Sequence, residues 1–161
     1  MPLVIAPNPL DEALVDLLEA DVTDPLADPP DGLAGARFMD LCPGGANHLV
    51  APEGVAQPYM VFGLTQPTRD TYTMTGLAFQ DCLYGFDVIQ EGHSAEQAQS
   101  AARRLWALLQ DADGTLTPTG WAVMHCRRTG YQERLERADG GVLYQHVQSL
   151  FAITIRPVPG D

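Results

Sequence analysis

Residues 94–114, SAEQAQSAARRLWALLQDADG, decide the fold. Ser94 stands where an N-cap belongs, and Gln97 follows at the capping-box spacing, so two orphan backbone donors can be satisfied reciprocally. Ala98, Ala102, Leu105 and Leu109 recur at helical intervals and form one apolar stripe. Trp106 widens that stripe, while Gln99, Arg103 and Arg104 point elsewhere. Gly114, past the last apolar position, suits the left-handed residue that closes many helices. The stretch predicts an amphipathic helix. Such a helix is a packing element, so function must come from what surrounds it.

Immediately upstream, DCLYGFDVIQ (81–90) alternates, with Tyr84, Phe86 and Val88 on one face and Asp87 on the other, as in a half-buried strand. Downstream, Thr117–Gly120 turns the chain into a strand over Trp121–Arg127. Thr129–Gly141 is polar and charged and contains the tight-turn signal Ala138-Asp139-Gly140-Gly141. The last strand covers Val142–Arg156. Val147, Phe151, Ile153 and Ile155 share one face there, against His146, Gln148, Thr154 and Arg156, and Pro157 and Pro159 end it.

Further upstream, Tyr59–Leu64 reads as a central strand because it hardly alternates. Gln66–Thr71 is a polar turn, and Tyr72–Thr75 leads through Gly76 into Leu77-Ala78-Phe79. Ala36–Leu41 is a brief strand, and Pro43–Pro58 is rich in turns. At the start, Asn8 is an N-cap, Pro9 takes the first helical position, and Asp11 and Glu12 sit in the positive first turn. Leu10, Leu14, Leu17 and Leu18 form the buried stripe of that helix, which fades near Ala20–Asp21. Residues 21–35 form an acidic, proline-rich loop that cannot continue it. The expected architecture is a single α+β domain over residues 1–161. Its sheet is mostly antiparallel, with two main helices packed on one face and an extended charged hairpin.

Composition narrows the function. The 161 residues carry a net charge of −12, with 21 acidic residues against nine basic ones. That argues against a phosphate-neutralising surface and therefore against specific nucleic-acid binding. Every basic residue is arginine, which rules out Schiff-base and phosphate-loop lysine chemistry. MPLVIAPNPL lacks the charged start of a signal peptide, and no apolar run has membrane-spanning length. Cys42, Cys82 and Cys126, odd in number and widely spaced, read as free core thiols of a reducing compartment.

The sequence offers few groups arranged for chemistry. Ser94, Ser100 and Ser149 are the only serines, and none lies in a nucleophile elbow. Cys126 or Cys82 could be combined with His93, His125 or His146, but no spacing fixes such a pair. Cys42 with His48, and His125-Cys126, lack the second half of a zinc site. Asp111, Asp113 and Gly114 repeat only a fragment of a calcium loop. No catalytic, cofactor or metal site is expected. The arginines of RRTGYQERLER stand out in an acidic chain. A soluble strand edge is one reading, and an arm that meets an acidic neighbour is the other. Arg127, Arg128, Tyr131, Arg134 and Arg137 are the expected partner-binding residues.

The order of parts resembles the tail terminator (tail completion) proteins of long-tailed bacteriophages. The resemblance covers residues 8–157 and rests on LDEALVDLLEA, the extended RFMDLCPGGA, the strand QPYMVFGL, and LYGFDVIQEGHSAEQAQSAARRLWALL running from strand into helix. The aspartate-glycine hairpin into YQHVQSLFAITIRP completes it. The resemblance implies a structural virion protein with no active site and no cofactor. It would form a homo-oligomeric ring, a hexamer in that family, at the head-proximal end of the tail tube. There it would end tube polymerisation and dock the head–tail connector or stopper protein, in the neck of a virion assembled in the host cytoplasm. DNA would pass the lumen without specific binding, which an acidic chain favours by repelling phosphate. Another neck or head–tail joining protein is the alternative within that class. A small-molecule-binding or enzymatic α+β module using His125 and Cys126 is the alternative outside it.

Overall fold

The computed structural model describes residues 9–22, 37–39 and 59–160. In chain order these form α1 (Pro9–Val22), β1 (Arg37–Met39), β2 (Tyr59–Leu64), β3 (Arg69–Thr73), β4 (Gly76–Glu91), α2 (Glu96–Leu109), β5 (Trp121–Arg137) and β6 (Leu143–Pro157). Short 3-10 turns occupy Ala112–Gly114 and Asp139–Gly141. Asn8, Cys42, His48, most of the 21–35 loop and the 43–58 segment lie outside the described residues.

One six-stranded sheet organises the domain, in the order β1-β2-β4-β6-β5, with β3 paired to the start of β4. Only β1 and β2 run parallel; the other pairs are antiparallel. β4 is the spine. It is a single 16-residue strand, whereas the sequence reads Leu77–Phe79 and Asp81–Gln90 as separate pieces. No glycine or proline separates the two pieces, and β3 supplies a partner for the first of them. Likewise β5 continues to Arg137 through the charged stretch that sequence pattern separates from the Trp121–Arg127 strand. An edge strand needs only one partner, and register shifts at Met124 and Thr129 let β5 follow the twist of β6.

The alternation seen in sequence holds. Tyr84, Phe86 and Val88 face the helices together with Met60, Phe62, Val147, Phe151, Ile153 and Ile155. Leu10, Leu14 and Leu18 of α1 and Ala98, Ala102, Leu105 and Leu109 of α2 close the same core. Phe86 is its centre, stacked on Phe62 at 5.3 Å and edge-on to Phe151 at 5.6 Å. Each such aromatic pair adds about 0.5–1.5 kcal/mol beyond area burial. Helix α1 is tied to the spine by the Tyr84 hydroxyl, which donates to the Asp11 carboxylate.

The caps of α2 differ from expectation. The helix begins at Glu96 with no side-chain cap on Ala95. Ser94 Oγ accepts only from the Glu96 N–H, at 3.3 Å. The orphan donor at Ala98 is instead satisfied by Gln90 Oε1 at 2.9 Å, from the end of β4. A side chain outside the helix thus supplies part of the cap. At the other end the left-handed residue is Asp111, at φ 58°, while Gly114 closes the following 3-10 turn. Trp106 lies outside the core, 44% exposed.

The opposite face of the sheet is not purely polar. Ile89 and Tyr144 are buried there among Val61, Ala138 and Val142. The β5–β6 turn carries Gly140 and Gly141 at φ 82° and 80°, as the Asp-Gly signal requires.

Candidate functional site

The arginine-rich stretch lies on β5, which has no strand on its outer side among the described residues. Because side chains alternate along a strand, its cations divide between the two faces of the sheet. Arg128, Tyr131 and Arg137 pair in register with Phe151, Ser149 and Leu143 on the helix side. Arg127 and Arg134 pair with Ala152 and His146 on the other side. The five expected contact residues therefore form two groups.

On the helix side, the Arg128 guanidinium carbon lies 5.0 Å from the centre of the Tyr131 ring and 5.7 Å from that of Trp106. Cation–π contacts of this kind contribute about 0.5–1 kcal/mol at exposed sites. Helix α2 supplies the second wall: Gln99, Arg103 and Trp106 share a helical face because they are spaced by four and three. Gln99 Nε2 donates to both carboxylate oxygens of Glu133, at 3.0 and 3.1 Å. The Tyr131 hydroxyl donates to the same carboxylate at 2.7 Å. Desolvation first, then the Glu133 hydrogen bond and charge, push the Tyr131 phenol up to about 12, with Arg128 and Arg103 opposing. The phenol therefore stays a neutral donor. Leu135, 57% exposed, extends the patch along the strand. Sequence pattern missed Trp106 here because it assigned Trp106 to the buried stripe, whereas it already set Arg103 on the outer side of the helix. The intervals from Trp106 to Gln99 and Arg103 are the signal that would have found it.

On the other side, β4, β5 and β6 meet at His146, which is fully buried. Its Nδ1 lies 2.9 Å from Asp87 Oδ2 with hydrogen-bond geometry. Its Nε2 closely approaches Glu136 Oε2, at 3.1 Å. The Arg134 guanidinium stands 3.4 Å from Nδ1 and 3.6 Å from Glu136. Gln148 links Asp87 to Gln132, at 3.4 and 2.7 Å. Beside this network Gly63 faces Gly85, and Leu150 lies between Gly85 and Gly130, so three of these four strands present no side chain in the row. The resulting open groove has a volume of about 600 Å³ and is walled by Val61, Thr65, Asp87, Gln132, Gln148 and Leu150.

The thiol alternative finds no constellation. Cys126 is buried in the helix-side core, and His125, next to it in the strand, is exposed. Burial, reinforced by the charge of Asp111, pushes the Cys126 thiol up to about 12, against a hydrogen bond from the Ala112 backbone that lowers it. A thiol held protonated is a poor nucleophile. Cys82 belongs to the same core, while His146 lies across the sheet from both thiols. Among the described residues, no cluster of three or more His, Cys, Asp or Glu could hold a metal ion.

No protein-family model matches the chain, and no curated protein matches it in sequence. Among solved structures the fold is similar to that of a chain in the virion of a native gene transfer agent particle. That chain is 16% identical, with a TM-score of 0.64, and the match covers 91% of this chain and 97% of the other. At this identity the likeness is one of fold.

Proposed function

From that shared fold we propose that the chain is a structural virion protein. In this reading it is a tail terminator, forming a ring at the head-proximal end of a phage-like tail tube. The ring ends tube polymerisation and offers the surface on which the head connector docks. The observation that carries the reading is the near-complete coverage, in both directions, of a chain from the virion of a gene transfer agent particle. The order of parts read from the sequence supports it independently, because it rests on local wording along residues 8–157 and not on the coordinates. A net charge of −12 suits a lumen through which DNA passes without adhering. Rings need two different, complementary surfaces on each copy. Arg128, Tyr131 and Arg137 offer a cationic contact surface on the helix side of β5, and Arg127 and Arg134 a second one on the other side, each suited to an acidic neighbour.

The test is to incubate purified protein with tail tubes assembled from tube protein, then image both by electron microscopy. The expected result is a hexameric ring alone in solution and a ring capping one end of each tube, with tube elongation stopped. A monomer that neither caps tubes nor halts their growth would refute the proposal. Rings that bind the connector and ignore the tube end would assign the chain to another neck position.

A further inference from the structure

We propose that the Arg103–Trp106–Arg128–Tyr131 patch receives the outer face of helix α1 from a second copy of this chain. The inference rests on the ring reading above and names the two surfaces that close it. A chain with 21 acidic and nine basic residues repels its own copies unless the few cations are placed where copies meet. Here six of the nine arginines lie on α2 and β5: Arg103 and Arg104 on the helix, Arg127, Arg128, Arg134 and Arg137 on the strand. Helix α1 is the opposite case. Its sequence PLDEALVDLLEADV has no basic residue, and Glu12 and Asp16 are exposed one turn apart. The inward side of α1 is already committed, with Leu10, Leu14 and Leu18 in the core and Asp11 on Tyr84. The outward carboxylates are left as a ridge at helical spacing.

The patch has the composition that concentrates binding energy at protein interfaces. Trp106 and Tyr131 are 44% and 45% exposed, and a guanidinium is held between their rings. Tryptophan, tyrosine and arginine dominate interface hot spots because they bring large apolar area together with a directed polar group. Arg128 is presented in a fixed geometry, so less side-chain entropy is lost when a carboxylate arrives. Glu133, the acid within the patch among the described residues, is occupied by Gln99 and Tyr131. Arg103 and Arg128 therefore face outward as the cations opposite Glu12 and Asp16. Clamp and ridge are different surfaces of one chain, so the contact is head-to-tail, the kind that closes a ring.

Charge reversal tests this with its own rescue. Variant R103E/R128E and variant E12R/D16R are each expected to lose the oligomer in light scattering, while circular dichroism shows that the chain stays folded and melting falls only by the contribution of the lost association and of the local charge contacts. A chain carrying all four substitutions is expected to recover the oligomer, because the reversed charges again face each other. Wild-type oligomers in both double variants, or a four-substitution chain that folds and stays monomeric, would overturn the pairing and leave the ring reading standing. A monomeric wild type that also fails to cap tubes would overturn both. An intact oligomer that loses tube capping in R103E/R128E alone would assign the patch to the tube protein and overturn the pairing.

Discussion

His146 on β6 lies 2.9 Å from Asp87 on β4, on the sheet face opposite α1 and α2, and Glu136 of the edge strand closes over its other nitrogen. One imidazole thus joins three strands, and it is fully buried while its carboxylate partners are only part-buried. Removing one partner of such a set leaves the others desolvated without compensation. Replacing His146 with alanine is expected to cost about 2–4 kcal/mol in urea unfolding. In a D87N/E136Q background the same replacement should cost clearly less, because no carboxylate is left stranded. Equal costs in the two backgrounds would mean that His146 acts by volume alone.

Adjacent residues on α2 separate stability from assembly. Leu105 is buried in the core, and Trp106, next in sequence, is half-exposed on the clamp. Leu105→Ala should destabilise the isolated domain by about 2–5 kcal/mol through lost transfer energy and the cavity left behind. Trp106→Ala should change the unfolding free energy by less than about 1 kcal/mol, since it removes an exposed cation–π contact. It should nevertheless weaken the oligomer, as dilution followed by light scattering would read. A large stability loss from Trp106→Ala, with assembly unchanged, would contradict this division.

Much of this is legible in the sequence. Alternation at Tyr84, Phe86 and Val88, and at Phe151, Ile153 and Ile155, assigns the core face correctly, because a strand packed under helices has one dry side. The burial of His146 was not legible. Its side of β6 reads as polar, and the apolar cluster that helps to cover it comes from Val61, Ile89 and Val142, scattered over three parts of the chain. The true N-terminal partner of α2, Gln90, was hidden for a related reason: it lies in the preceding strand, where no capping rule looks. For the candidate surface, the arginines were visible as a run of residues. Their division between two faces required the register of β5 on β6.

The glycine row across this face makes a steric prediction. A Cβ added at Gly85 would stand 2.7 Å from Thr65 Cγ2 and 3.6 Å from Leu150 Cδ2. Thr65 cannot easily yield, because its backbone N–H and its hydroxyl both donate to the Leu83 carbonyl, at 2.9 and 3.1 Å. Gly85→Ala is therefore expected to destabilise by about 1–3 kcal/mol, the usual cost of overpacking. Thr65→Ser keeps the hydroxyl and deletes the clashing methyl, so G85A/T65S should recover most of the loss. Thermal melts of the four proteins decide it, and strict additivity would show that the methyl is not the obstacle.

Cys126 supplies the pH prediction. Its thiol is raised from near 9 to about 12, by burial first and then by Asp111. A raised folded value means that the native state holds its proton where the unfolded chain has lost it. The resulting stability is complete below about pH 9 and is lost as pH rises toward 12. Tyr131, also raised to about 12, contributes to the same decline, so the difference between proteins is the quantity to measure. Wild type should lose stability more steeply than Cys126→Ala between these limits, although the variant is less stable at neutral pH through its smaller side chain. The same burial should protect Cys126 from alkylation in the folded protein at pH 8, with modification appearing only in urea. Rapid labelling of the native Cys126 peptide would place the thiol in an exposed, nucleophilic setting and would reopen the case for catalysis with His125.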